Sequence, residues 1–279
     1  MSHRLEELDP AGLEARLEAK PALVLALGTI EWHSRHLPVG LDLLKAQAIA
    51  ERTADRAEAV LAPPAWWAAG GVPQPYTLRL PAAVTEPVLA AVLAAFGGMG
   101  FRAIVLVNGH YGLENSLAVR RAALACREAT VVPLADYELL TDLGATGDHA
   151  GVFETALLMP VRPELVQLDV EGELPGVIGD DPRGRATNAL GEQALELASA
   201  RAAAALDRAL MTPREPYDAA LEAAVATLER LWQLRRELPR DRVPPVATPA
   251  WIRHLECFRD GDWGGAKAAA EAKLDDLSA

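Results

Sequence analysis

Residues 22–28 read ALVLALG, and this run decides how the chain is built. Six apolar residues in succession leave no polar face, which is the pattern of a strand buried on both sides in a parallel sheet. Ala59–Ala62 (AVLA), Ala103–Val107 (AIVLV) and Thr130–Leu134 (TVVPL) repeat it. Between these runs, Leu43–Ala57, Glu86–Phe96 and Asn115–Glu128 carry apolar residues at helical spacing. Thr85, followed by Glu86 and Pro87, predicts a capped start for the second of these helices. The alternation predicts an α/β fold, a mostly parallel sheet flanked by helices with right-handed crossovers. Farther on, Ala189–Leu210 and Tyr217–Leu238 read as long helices, Pro239–Pro249 as a proline-broken connector, and Gly265–Leu277 as a last helix. The expected organisation is a main domain over residues 1–210 and a helical C-terminal extension over 211–279.

The chain has 279 residues, 51% hydrophobic and 24% charged, enough to bury a sizeable core. Its net charge of −12 argues against a nucleic-acid partner, which needs a clustered basic surface. Residues 1–20, MSHRLEELDPAGLEARLEAK, lack the apolar core of a secretion signal. The stretch from Leu89 to Phe101 is too short and glycine-rich to span a bilayer. No membrane association is expected. Cys126 and Cys257 lie far apart without metal-ligand spacing, and read as packing residues in a reducing compartment.

In parallel sheets ligands bind beyond the carboxyl ends of the strands, and the polar residues of this chain collect there. Four of the six histidines fall in these loops, each near a carboxylate. Glu31 and His33 stand two apart, so extended backbone points both to one side. Asp42 sits just before a helix, and His110 directly follows a buried strand, with Gly109 allowing a tight turn. Imidazole and carboxylate without thiolate suit Zn²⁺, Mn²⁺ or Fe²⁺. An aspartate can bridge two ions. Glu31, Asp42 and His110 would hold one metal, while His33, Asp42 and another carboxylate would hold a second. Two such ions sharing a hydroxide suit hydrolysis.

GTIEWHSRHLPVGLD (residues 28–42), VNGHYGLEN (107–115) and DHAGVFET (148–155) resemble, in order and spacing, the signatures of the creatininase family. The resemblance runs roughly from Leu23 to Leu158. It implies a creatininase-like α/β sandwich and a cytoplasmic enzyme with two divalent metal ions. The implied reaction is cleavage of a C–N bond in a small amide, formamide or lactam by metal-hydroxide attack. It also implies a small-molecule substrate and a homo-oligomer, often a hexamer. By position, Glu31, His33, Asp42 and His110 match metal ligands. His149 matches a histidine that contacts substrate and can move a proton, Asp148 its acidic neighbour, and Glu154 a glutamate near the metals. Cleavage of a C–C bond beside a ketone in a cyclic polyol, or a non-catalytic relative, are the alternatives.

Two departures from that pattern matter. Creatininase itself carries a glutamate two residues after the histidine matched by His110; here Gly112 stands there and the glutamate comes at Glu114. Either Glu114 or Glu154 completes the second metal site, and Glu154 needs no insertion. Residues 70–84, GGVPQPYTLRLPAAV, lack the histidine and the Phe-Pro-Gly-Thr that line the pocket in many relatives, so creatinine is not the expected substrate. Trp66 and Trp67 read as buried aromatics, and His36 as a residue that orients the ligand loop. His3 and His254 carry no role. Leu221, Val225, Leu228, Leu231, Trp232 and Leu238 form an apolar stripe on one helix, and the expected partner is another subunit.

Overall fold

A computed structural model describes residues 3–278. Four strands form one parallel sheet in the order β2-β1-β3-β4: β1 (Ala22–Leu27), β2 (Val60–Leu61), β3 (Ala103–Asn108) and β4 (Thr130–Ala135). All six residues of β1 and of β3 are buried, as unbroken apolar runs require. Leu27 pairs with Asn108 and Asn108 with Ala135, so three strands end at one level. The loops that leave them begin side by side.

The helices are α1 (Pro10–Ala19), α2 (Leu41–Ala57), α3 (Ala82–Gly98), α4 (Leu113–Ala125), α5 (Val152–Leu158), α6 (Asn188–Met211), α7 (Arg214–Glu237), α8 (Pro249–Asp260) and α9 (Trp263–Asp276). Right-handed crossovers put α2 on one face of the sheet and α3 and α4 on the other. Helix α6 packs along α2 and onto β3 and β4, while α7 lies against α4. Among the described residues no helix is long and apolar enough to cross a membrane.

Four expectations change. Helix α3 begins at Ala82, not at Thr85, and Pro87 lies inside it. Its start is capped from a distance: the backbone N–H of Ala82 donates to Glu114 Oε1 at 2.9 Å. Trp66 is 51% exposed, because the connection after β2 runs over the surface, while Trp67 packs against the core. Helix α8 occupies a stretch with no sequence assignment. Its signals were present, since Thr248 accepts from the Trp251 N–H, Pro249 fills the first turn, and left-handed Gly261 ends it.

The stripe on α7 faces its own chain. Leu228 and Leu231 are buried with Leu113 and Leu117 of α4, with Trp251 and Leu255 of α8, and with Leu277. Val225 and Trp232 lie partly buried on the same cluster, and Leu238 is left at the margin. Burying each leucine stabilises the layer by roughly 1.5–3 kcal/mol. An apolar helix face satisfied within the chain has no need of a second subunit.

Candidate metal centre

Glycine brings the first two loops of the centre together. A Cβ on Gly109 would clash with the carbonyl oxygen of Asp42, and one on Gly28 with the backbone of Leu43. The first turn of α2 therefore rests directly on the ends of β1 and β3. Gly109 is required by this close approach, since its φ is not positive. Asp42 sits in that first turn, where the helix dipole favours a carboxylate. After β3, Asn115 Nδ2 donates to the His110 carbonyl at 2.6 Å and to Asn108 Oδ1 at 3.1 Å, which closes the loop around His110.

Asp42 is the hub. Its Oδ1 lies 3.1 Å from His33 Nε2 and its Oδ2 lies 3.1 Å from His110 Nδ1. Glu31 Oε2 lies 3.1 Å from the same His110 nitrogen, and Glu154 Oε2 lies 3.6 Å from His33 Nε2. Two groups, Glu31–Asp42–His110 and His33–Asp42–Glu154, thus share Asp42, and the ligand atoms within each lie within 4.8 Å of one another. A third group of the same size joins Glu31, His33 and His149. His33 Nδ1 donates to the Glu31 carbonyl at 2.9 Å, which leaves Nε2 to face the carboxylates.

The cluster is buried, and both Asp42 oxygens and His33 Nε2 lack hydrogen-bond partners. Unsatisfied buried polar atoms are costly, and three of them converging on one place call for a cation. Proton affinities agree. Burial opposes charge on His33, but Asp42, Glu154 and Glu31 outweigh it and raise the imidazole to about 9. His110 is raised to about 10 against its burial, by Asp42 and Glu31. Burial alone would raise Asp42, yet the two histidines hold it below the usual carboxylate range. Protons are drawn to where the carboxylates would otherwise hold metal. The donor set of imidazole and carboxylate oxygen fits Zn²⁺, Mn²⁺ or Fe²⁺.

The remaining expected residues are placed as follows. His149 lies tilted against His33, with 4.5 Å between ring centroids, Nε2 3.1 Å from the Trp32 carbonyl and Nδ1 3.9 Å from Glu31 Oε2. Burial lowers its proton affinity. Asp148 Oδ2 accepts from the Phe153 N–H at 2.8 Å at the start of α5. Burial, reinforced by Glu154, raises Asp148 to about 7. The residue between His149 and Gly151, Ala150, is left-handed (φ 53°) and donates its N–H to Glu154 Oε2 at 2.6 Å. Glu114 lies outside the three groups. His36 Nε2 meets Thr155 Oγ1 at 3.1 Å, tying the first loop to α5.

Several residues around the centre escaped the sequence reading. Lys45 is fully buried on α2, with Nζ 2.5 Å from Glu154 Oε1 and 2.9 Å from Asp136 Oδ2. Tyr111 donates its hydroxyl to Glu154 Oε1 at 2.7 Å. The Val72 N–H donates to Glu31 Oε1 at 2.5 Å, so the loop after β2 supports the Glu31 carboxylate through its backbone. Lys45 had a detectable signal, since a lysine on the core face of a helix needs an anionic partner. A backbone donor has none. A cavity of about 150 Å³ reaches from Tyr111 to Trp251 and Ile252 of α8.

The creatininase family, described as creatinine amidohydrolase, matches residues 6–206. A creatinine amidohydrolase of Pseudomonas putida is 31% identical over 185 residues, 56% of this chain and 70% of that protein. A mycofactocin precursor peptide peptidase of Mycolicibacterium smegmatis is 33% identical over 160 residues, 53% of this chain and 61% of that protein. The solved structure described as creatininase Mn superposes with a TM-score of 0.64 at 26% identity, over 76% of this chain and all of that one.

Proposed function

The chain belongs to the creatininase family of amidohydrolases, and from this premise we propose a two-metal hydrolase that opens the C–N bond of a small amide, formamide or lactam. Asp42 carries the proposal. Its two partnerless oxygens turn to different histidines at 3.1 Å each, the arrangement a bridging ligand needs. Glu31, Asp42 and His110 would hold one ion, and His33, Asp42 and Glu154 the other. Glu154 is preferred to Glu114 because Glu114 is engaged at the start of α3. When bound, the ions would supply water activation and polarisation of the carbonyl under attack.

The protein's own groups divide the remaining tasks. His149 donates Nε2–H to the Trp32 carbonyl, which leaves Nδ1 bare in the neutral ring, so Nδ1 is the atom that would take a proton from the attacking water and pass it to the leaving nitrogen. Its depressed proton affinity favours giving that proton up. Asp148 holds the turn into α5 that carries His149. Val72 N–H and Tyr111 fix the outer carboxylates, Glu31 and Glu154, so little reorganisation is needed during reaction. The names of two relatives, an amidohydrolase and a peptidase, denote cleavage of C–N bonds, whereas a third, a 3-dehydro-scyllo-inosose hydrolase of Thermotoga maritima, is named for a cyclic keto-polyol, which makes a C–C bond beside a ketone the second reading.

Creatinine is not the proposed substrate, since residues 70–84 depart from the family pocket. A homo-oligomer, with a hexamer as the expected form, is proposed as well. Val84 and Val88, one turn apart on α3, are 54% and 46% exposed and offer an apolar contact. The functional reading is tested with a panel of cyclic, formyl and dipeptide amides plus creatinine. We expect turnover of at least one amide that stops on chelation and returns with Zn²⁺ or Mn²⁺. Full activity in metal-free protein would refute it, and so would creatinine as the best substrate refute the pocket reading.

A further inference from the structure

The C-terminal helices close a cavity of about 150 Å³ against the main domain. One wall comes from α4 and the turn after β4, the other from α7, the segment before α8 and α8 itself. The second wall lies beyond residue 206, outside the region that matches the family. No residue of the three candidate metal groups lines the cavity. Tyr111 stands between the two sites, lining the cavity while its hydroxyl lies 2.7 Å from Glu154 Oε1. Thr146 and Ala247, on opposite walls, are exposed, so the cavity opens to solvent between them.

The walls narrow what fits inside. Arg120 and Glu138 are both buried and neutralise each other at 2.7 Å, and Glu138 Oε2 also accepts from the Ala135 N–H. No charge is left over to pair with an ion, and an unpaired ion is costly to bury. Leu113, Leu228, Val246 and Ile252 supply apolar surface. One donor remains free: Trp251 Nε1 is buried without a hydrogen-bond partner, although the Tyr137 hydroxyl lies beside it. Both of these side chains line the cavity. A buried indole N–H ordinarily finds an acceptor, and an apolar cavity of about 150 Å³ takes one benzene-sized ring. We propose that this cavity is a second binding site, for a small neutral ring carrying one hydrogen-bond acceptor. The acceptor takes the Trp251 N–H, and the ring lies among Tyr111, Leu113, Leu228 and Ile252.

Cyclohexanone is the probe, since it has the ring and a single acceptor but no C–N bond to cleave. Isotope-labelled full-length protein is titrated with it, and two magnetic resonance signals are followed. They are the Trp251 indole N–H, identified by its disappearance in Trp251→Phe, and the amide of Gly147, which also lines the cavity. Both should shift and saturate in the millimolar range, as suits so small a ligand. Cyclohexanecarboxylate, an anion on the same ring, should leave them unmoved. Trp251→Phe, followed through Gly147, should bind about fivefold more weakly, the loss of one hydrogen bond. Ala247→Trp, at the exposed mouth, should abolish both shifts in a protein that keeps its fold. No saturable shift up to about 50 mM would mean that the cavity holds water only, and overturns the proposal. Unchanged affinity in Trp251→Phe, or equal binding of the carboxylate, overturns it too. So do shifts confined to the His110 and His149 loops, which would place the ketone at the metal centre. Should Trp251→Phe fail to fold, the two probes and Ala247→Trp still decide. None of these results bears on whether the centre holds two metals.

Discussion

The carbonyl oxygen of Asp42 stands so near Gly109 that a Cβ on that glycine would clash with it. The residue shared by the two candidate groups and the glycine before His110 are thus pressed together, and the centre depends on how closely α2 approaches the end of β3. Gly109→Ala has to push α2 and the His110 loop apart. We expect a loss of about 1–3 kcal/mol, typical of overpacking, with metal content falling alongside. Thermal melts and metal analysis check this; a variant with wild-type metal content and melting temperature would show that the contact is not needed.

Glu114→Ala removes the distant acceptor at the start of α3. The expected cost is about 0.5–2 kcal/mol, the range for losing a helix cap, with both metals retained. Loss of one metal ion in this variant would return Glu114 to the ligand set.

Much of this was legible in the sequence for a physical reason. Strands buried on both faces must be continuously apolar, so all four strands were found, and the loops after β1 and β3 then fell at one sheet edge with Glu31, His33, Asp42 and His110 in them. Interactions between distant residues were not legible. The Glu114 cap on Ala82 joins positions 32 apart, and the Lys45–Glu154 pair joins positions 109 apart. The apolar stripe on α7 was read correctly as one-sided, but periodicity reports that a face is covered and not what covers it.

Leu228→Asp places a charge in the layer between α7, α4 and α8, where Leu228 is 1% exposed. We expect a destabilisation of at least about 2–5 kcal/mol, the range for emptying a leucine site, or failure to fold. Chemical denaturation gives the size of the loss. A folded variant of wild-type stability that merely forms smaller particles in light scattering would assign the stripe to a subunit contact after all.

His254, buried between Trp251 and Ala266, donates Nδ1–H to the Ala266 carbonyl at 2.8 Å. Burial lowers its proton affinity to about 4 from an ordinary 6.5. The unfolded chain therefore binds a proton that the folded chain refuses between these values. The corresponding stability is fully present above pH 6.5 and is lost as pH falls toward 4, by an amount on the order of 3 kcal/mol. Denaturation at pH 7.5 and pH 4.5 should show a smaller acid loss in His254→Phe than in the wild type. Identical losses would contradict the assignment.

The central claim, that Asp42 joins two metal positions, is tested most directly by plasma mass spectrometry of untagged protein, wild type beside Asp42→Ala. After reconstitution with Zn²⁺ or Mn²⁺ and removal of free ions, the wild type should hold close to two ions per chain and folded Asp42→Ala close to none. Wild-type protein without bound metal, or Asp42→Ala that still holds two ions, would contradict it.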